Sequence, residues 1–222
     1  MKKKTLITAL CMVLVCVLSV AGTLAFLKES TVKVENTFVA DGGGKLAEAF
    51  TIEEQDVEQQ EDGSYILKDD EGEPVLADGG VAYLIAPGRV LPKKAWFNIE
   101  GKTTVPAYVY LEVVDTLEEG FYTYAVDSDN WEPLMDGAET PAQVVGPNGG
   151  LLYTLKSGMV SAEDEDLDPI GILDDDIVTV SDALEESDFE GLSDQALDFY
   201  GYLAQASAGD DALGAFNACF GD

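Results

Sequence analysis

The clearest structural signal in this sequence is the stretch Ala107-Tyr108-Val109-Tyr110-Leu111-Glu112-Val113-Val114. Successive side chains of a β-strand point to opposite faces, so Tyr108, Tyr110 and Glu112 would share one face. Val109, Leu111 and Val113 would share the other, and β-branched and aromatic residues favour strands. Because apolar side chains occupy both faces, the stretch predicts a central strand of a sheet that is covered on both sides.

Shorter runs of the same kind recur along the chain and predict further strands. They lie at residues 31–39, 64–67, 81–85, 95–99, 121–126, 151–155, 177–180 and 196–205. Turn-forming clusters separate them, at residues 41–44, 78–80 and 146–150. Helices are predicted at 181–192 and at 211–220, the latter with Asp210 as its N-cap. This pattern predicts a mainly β fold, an antiparallel jelly-roll-like β-sandwich with a short C-terminal helix.

The N-terminus has the pattern of an export signal. Lys2-Lys3-Lys4 precede an apolar run at residues 6–20, and small residues follow it. This predicts a signal peptide at residues 1–25, cleaved between Ala25 and Phe26. An uncleaved anchor is the alternative, because residues 5–27 are long enough to span a bilayer. Residues 26–222 are then expected to form a single β-sandwich domain with acidic loops at about 53–62 and 163–176.

The composition limits the partners of the chain. It has 43 Asp and Glu against 12 Lys and Arg, and cleavage would remove three lysines to leave a net charge of 9 − 43 = −34. Such a surface repels nucleic acid and anionic membranes, so neither a nucleic-acid partner nor a stable membrane anchor after cleavage is expected. Only Cys219 would remain in the mature chain, which excludes an internal disulfide and leaves the role of this thiol open.

The sequence lacks the residues of most catalytic sites. It contains no histidine, which removes Ser-His and Cys-His dyads and His-containing zinc sites. Ser30-Thr31-Val32-Lys33, Ser128-Asp129-Asn130 and Lys156-Ser157-Gly158 match the three motifs of serine β-lactamases in their order. However, Ser30 adjoins a predicted strand, where residues three apart point to opposite faces. We therefore interpret the match as coincidence and predict no catalytic residues and no enzyme.

Two further features leave binding alternatives open. The acidic runs at 163–168 and 174–176 could attract calcium weakly, but neither follows the order of an EF-hand loop. A solvated loop is the preferred interpretation, and no metal site or cofactor is predicted. Trp96 and Trp131 lie near turns, as sugar-stacking residues often do, although filling of the core is the preferred use.

Several segments together resemble one family, the TasA/camelysin-type secreted proteins whose export signals are cut by the signal peptidase SipW. The resemblance is most specific near the N-terminus and is looser in the middle and at the end. It is carried by Gly22-Thr23-Leu24-Ala25-Phe26-Leu27, Asn36-Thr37-Phe38, Ala86-Pro87-Gly88, Trp96-Phe97-Asn98, Val105-Pro106-Ala107-Tyr108-Val109 and Tyr202-Leu203-Ala204-Gln205-Ala206.

The resemblance implies a jelly-roll-like sandwich that is extracellular, secreted or associated with the surface of a Gram-positive-type bacterium. Relatives form biofilm-matrix fibres, so the implied partners are further copies or related matrix subunits, with the signal peptidase acting during export. Some relatives are catalogued as metallopeptidases, and the absence of histidine argues against carrying that activity over.

In such fibres the freed N-terminal strand pairs with an open sheet edge of the next subunit. Here Val32, Val34 and Phe38 would be the alternating anchors of that donor strand. Head-to-tail contacts of this kind do not close, so they propagate filaments. The alternatives are a monomeric extracellular module that binds calcium or glycans and, less favoured, a secreted hydrolase.

Overall fold

The predicted central strand is present as β8 (Ala107–Asp115) and has partners on both sides. It pairs with β14 (Leu197–Gln205) along its whole length and with β11 (Leu151–Val160) on the other side. The chain is seen in a computed structural model that describes residues 49–70, 72–77, 80–100, 105–161, 168–185, 188 and 195–221. These residues belong to one compact unit that spans Val34–Asp222.

The described strands form antiparallel sheets, which confirms the mainly β fold. The largest has the order β10-β11-β8-β14, and two three-stranded sheets have the orders β1-β7-β12 and β6-β13-β9. β2 pairs with β3, and β4 pairs with β5. The remaining bounds are β1 Ala49–Glu54, β2 Val57–Gln59, β3 Tyr65–Leu67, β4 Asp69–Asp70, β5 Glu73–Pro74, β6 Val90–Pro92, β7 Ala95–Glu100, β9 Tyr122–Thr123, β10 Trp131–Pro133, β12 Ile170–Gly171 and β13 Ile177–Val180.

Two apolar clusters lie on opposite faces of the four-stranded sheet. The main core contains Val109 and Leu111 of β8, together with Phe97 of β7 and Val178 of β13. The helix-side core contains Tyr110 of β8 and residues of the C-terminal helix. Burial on both faces of β8 explains why apolar residues occupy both its odd-numbered and its even-numbered positions.

The predicted C-terminal helix is present as α1 (Ala212–Phe220), and its buried residues are Ala215 and Phe216. Its N-cap is Asp211 rather than the predicted Asp210. The Asp211 carboxylate accepts a hydrogen bond of 2.7 Å from the amide of Gly214, three residues on, which is the geometry that a capping side chain requires. Among the described residues, no helix is long and apolar enough to cross a membrane.

Three predicted elements differ from the structure. The acidic segment 53–62 is not simply a loop, because it contains the end of β1 and all of β2. Tertiary partners bind two of its acids: Trp96 Nε1 donates to Glu53, and Lys93 donates to Glu54. Residues 81–85 form no strand, since Tyr83 and Ile85 pack against the main core without ladder pairing. The strand predicted at 121–126 is reduced to β9 and one isolated bridge at Val126.

Other predictions fall outside the described residues. The signal peptide with its Ala25–Phe26 cleavage site and the donor-strand residues Val32, Val34 and Phe38 are among them. Of the acidic segment 163–176, residues 168–176 are described and include β12 and a 3-10 turn at Asp174–Asp176. Of the helix predicted at 181–192, the structure describes residues 181–185 and 188, and it places a turn at 182–183.

Candidate functional site

β14 forms one side of the largest sheet, and no described strand pairs with its outer side. The amide of Thr116 donates to the carbonyl of Ala196 at 3.0 Å, and the amide of Ala206 donates to that of Pro106 at 2.9 Å. Antiparallel partners alternate between bonded and non-bonded pairs, so the even-numbered residues of β14 bond to β8. The amides and carbonyls of the odd-numbered ones point outward. We call this row the free edge of β14, formed by Leu197, Phe199, Gly201, Leu203 and Gln205.

Side chains from both faces of β14 contribute to the interior of the protein. Phe199 and Leu203 contribute to the main core, whereas Tyr202 and Ala204 contribute to the helix-side core. Leu203 and Ala204 have an exposed fraction of 0%. Buried backbone amides and carbonyls need hydrogen-bond partners. The outward donors and acceptors of β14 are therefore largely enclosed, and those of Leu203 are not exposed to solvent.

Gly201 brings the free edge close to the aromatic part of the main core. A methyl group at this position would lie 2.5 Å from Cε1 of Phe97 and 2.8 Å from Cζ of Phe50. The two rings themselves pack with centroids 5.2 Å apart. Because Gly201 has no side chain, β1 and β7 can approach β14 closely.

A partly buried ion pair lies beside this edge. Lys93 Nζ is 3.0 Å from Glu54 Oε1, with side-chain exposures of 12% and 15%. The same ammonium lies 5.3 Å from the ring centre of Phe199. Burial raises the pKa of the neighbouring Asp198, and the charge of Lys93 opposes that shift. Charges at a sheet edge discourage unspecific pairing with other strands.

Glu112 of β8 is a fully buried acid at the centre of a hydrogen-bond network. Its carboxylate accepts from the amides of Asn148 and Gly150 and from Asn148 Nδ2, each at 2.9 Å, and also from the hydroxyl of Tyr202. Burial, and then this hydrogen bond to Glu112, raise the pKa of Tyr202. The network joins the turn at residues 146–150 to both β8 and β14.

Glycine is required where this turn meets Glu112. A methyl group on Gly146 would lie 2.5 Å from the Glu112 carboxyl carbon, and one on Gly150 would lie 2.4 Å from the carbonyl oxygen of Val113. Among the described residues, no lysine or arginine forms an ion pair with Glu112. Its hydrogen bonds are with the turn and Tyr202, so the arrangement positions the turn.

The structure brings together two of the three β-lactamase-like motifs. Lys156 Nζ donates to the carbonyl of Ser128 at 3.0 Å, and the Lys156 amide donates to the carbonyl of Asn130 at 2.8 Å. Ser30, the serine of the first motif, lies outside the described residues. The juxtaposition follows from the pairing of β10 with β11, which places the turn before β10 beside the middle of β11.

The tryptophans do not form an exposed sugar platform. Trp96 is 7% exposed and Trp131 is 2% exposed. The indole of Trp96 donates to Glu53 Oε2 at 3.2 Å, and that of Trp131 donates to the carbonyl of Gly171 at 2.8 Å. The interpretation of these residues as core filling is confirmed, because a buried indole needs a partner for its N–H and both have one.

The described acidic residues do not assemble into a metal site. No group of three or more Asp, Glu or Cys side chains with ligand spacing occurs in the described part of the chain. Asp175 and Asp176 have φ angles of 54° and 55°. Burial, then the neighbouring carboxylates of Asp127 and Asp175, raise the pKa of Asp176 against the effect of Lys94. Weak calcium binding stays a prediction.

Sequence reasoning did not identify the Glu112 network. The signal for it is a single acid at an inward position of the most apolar strand, followed in the chain by a turn with three glycines at 146, 149 and 150. Comparisons with models of known protein families, with curated proteins and with solved structures found no match.

Proposed function

We propose that this chain is a secreted structural subunit with a jelly-roll-like sandwich that links to its neighbours by strand addition. Its N-terminal segment, residues 31–39, would pair with the free edge of β14 in another copy. The observation that carries the proposal is this edge: nine residues of β14 paired on one side only among the described strands.

The proposed donor and acceptor match in length and in chemistry. Residues 31–39 and β14 are both nine residues long. Val32, Val34 and Phe38 alternate with Thr31, Lys33, Glu35 and Thr37, the period that a strand needs. Main-chain hydrogen bonds to the outward amides would supply affinity, and the alternating apolar side chains would supply specificity.

The test follows filaments and amide exchange in the mature chain, residues 26–222. Negative-stain microscopy should show filaments, and residue-resolved hydrogen exchange should show an alternation along β14. The amides of Phe199, Gly201 and Leu203 should gain protection on assembly. Those of Tyr200 and Tyr202 bond to β8 already and should change little. Equal gains in protection at odd- and even-numbered residues of β14 would reject the proposal. The absence of filaments from the intact mature chain would also reject it.

A matched pair of variants tests the donor strand. Val34→Asp places a charge at an anchor position and should abolish filaments, because a buried unpaired carboxylate opposes strand addition. Lys33→Asp introduces the same side chain one residue away, on the polar face, and should leave assembly intact. Filaments from Val34→Asp that equal those of the parent chain would remove the donor role.

A further inference from the structure

A groove opens between the β2–β3 hairpin, the turn at residues 86–89 and strands β6 and β13. It has a volume of about 520 Å³, within the range of sites that hold small ligands. We call it the Arg89 groove, and the lining residues that matter here are Asp62, Ser64, Pro87, Arg89, Pro92 and Ile177. It lies apart from the Glu112 network, whose residues do not line it.

Arg89 is the only arginine in a chain with 43 acidic residues, and it is held in place on several sides. Its Nη1 donates to the carbonyl of Leu84, and its guanidinium carbon lies 6.0 Å from the ring centre of Tyr65. The Tyr65 hydroxyl in turn accepts from the amide of Leu84 at 2.6 Å. The bond to Leu84 engages one of the five N–H donors of the guanidinium, so others are available to the groove.

Asp62 faces the same groove with a carboxylate that is only partly engaged. Its Oδ1 accepts from the amide of Ser64 at 2.9 Å and from the Ser64 hydroxyl at 2.6 Å. These bonds, and to a smaller extent the charge of Arg89, hold the pKa of Asp62 below its usual range. Both hydrogen bonds from Ser64 reach Oδ1, and the ion pairs among the described residues do not include Asp62 with Arg89.

An ionised acid and a guanidinium that share a groove without pairing limit the chemistry of the ligand. A purely anionic ligand would be opposed by Asp62, and a purely cationic one by Arg89. A hydroxyl group can both donate to a carboxylate and accept from a guanidinium. The apolar surfaces of Pro87, Pro92 and Ile177 suit the C–H faces of a saturated ring. Hydroxyl groups on such a ring are the chemistry of a neutral saccharide.

We propose that the Arg89 groove binds a neutral saccharide of a few rings, with Asp62 accepting from its hydroxyl groups and Arg89 donating to its oxygen atoms. This site is independent of strand addition, and it differs from the tryptophan platform because Trp96 and Trp131 are buried. It would allow a secreted subunit to hold a polysaccharide while its sheet edges engage protein.

Isothermal titration of the mature chain with cellotetraose, maltotetraose and N-acetylchitotetraose tests the site, with tetragalacturonate and the fully deacetylated chitosan tetramer as charged counterparts. At least one neutral tetrasaccharide should bind with a Kd of about 1 mM or tighter, and the charged ones more weakly. Arg89→Gln and Asp62→Asn should each weaken binding by roughly tenfold or more, the loss expected when a hydrogen bond to a charged group is removed.

Lys156→Gln is the matched control, because it removes an exposed cation away from the groove and should bind like the parent chain. Equal thermal unfolding midpoints would show that Asp62→Asn and Arg89→Gln remain folded, and two variants from different elements keep the test valid if one does not. Absence of heat with all three neutral sugars, binding of only a charged one, or unchanged affinity in both groove variants would overturn the proposal.

Discussion

At the scale of single residues, a close approach in the main core depends on the absence of a side chain at position 201. Gly201 lies in β14 where the rings of Phe50 and Phe97 occupy the space that a Cβ would fill. In a strand interior, glycine costs backbone entropy relative to alanine. Its presence here is explained by the packing of two rings across the strand.

Gly201→Ala should lower the free energy of unfolding by about 1–3 kcal/mol, the usual effect of overpacking a tight core. Urea unfolding followed by circular dichroism measures it. Gly171→Ala in β12 is the control, because a methyl group there would meet its nearest neighbours at an ordinary 3.8 Å and should be almost neutral. Equal midpoints for the two variants would contradict this account of Gly201.

Asp176 couples stability to pH in a defined direction. Burial raises its pKa above the ordinary 3.8, so the folded state binds this proton more tightly than the unfolded state does. The stability from this preference is complete below about 3.8 and is lost as pH rises through the folded pKa. Asp176→Asn cannot ionise, and asparagine tolerates the φ of 55° at this position.

Asp176→Asn should therefore stabilise the protein at pH 7 and do so less at pH 4, as urea midpoints at the two pH values would show. The exposed Asp129→Asn serves as the control, because a substitution on the surface should change the urea midpoint little. If Asp176→Asn raises the urea midpoint equally at both pH values, the gain comes from the backbone conformation at this position and not from ionisation, which would contradict the prediction.

At the scale of elements, β8 contributes side chains to both apolar cores. Its alternation places Val109 and Leu111 in the main core and Tyr110 in the helix-side core. Glu112 continues the second face but meets the turn at residues 146–150 instead of apolar side chains. A buried acid of this kind is favourable only when its hydrogen bonds are complete, and those of Glu112 fix a turn beside β14.

Glu112→Gln should lower the free energy of unfolding by about 1–3 kcal/mol, because an amide N–H₂ would replace an acceptor that faces Asn148 and Tyr202. It should also speed hydrogen exchange at the amide of Gly150. Glu132→Gln, on the exposed face of β10, is the matched control and should be close to neutral. Parent-like stability of Glu112→Gln would mean that the turn holds without the network.

At the scale of the whole molecule, charge and assembly oppose one another. Subunits with a net charge of −34 after the predicted cleavage repel at long range, whereas strand addition acts through contacts of a few ångström. At about 0.15 M salt the Debye length is about 8 Å, so screening leaves the short-range contacts to decide. Filament assays of the mature chain and its Val34 variant belong at that ionic strength.

Much of the fold was predictable where local pattern and tertiary role agree. The alternation at 95–99, 107–114, 177–180 and 196–205 predicts β7, β8, β13 and β14, and the apolar stripe at 211–220 predicts α1. The failures have a common cause. Tyr83 and Ile85 are apolar because they pack on the main core without strand pairing. The acids at 53 and 54 are accommodated in a strand because Trp96, Asn98 and Lys93 bind them.

The sequence by itself determined the class of the fold, because side-chain period and turn residues are local properties that specify strands one at a time. It also determined the strong acidity and the absence of histidine chemistry. Only the tertiary structure decided which strands are neighbours, that β14 pairs on one side only among the described strands, that Glu112 is enclosed by a glycine-rich turn, and that Arg89 and Asp62 share a groove. Those facts depend on contacts between residues far apart in the chain, and no local pattern contains them.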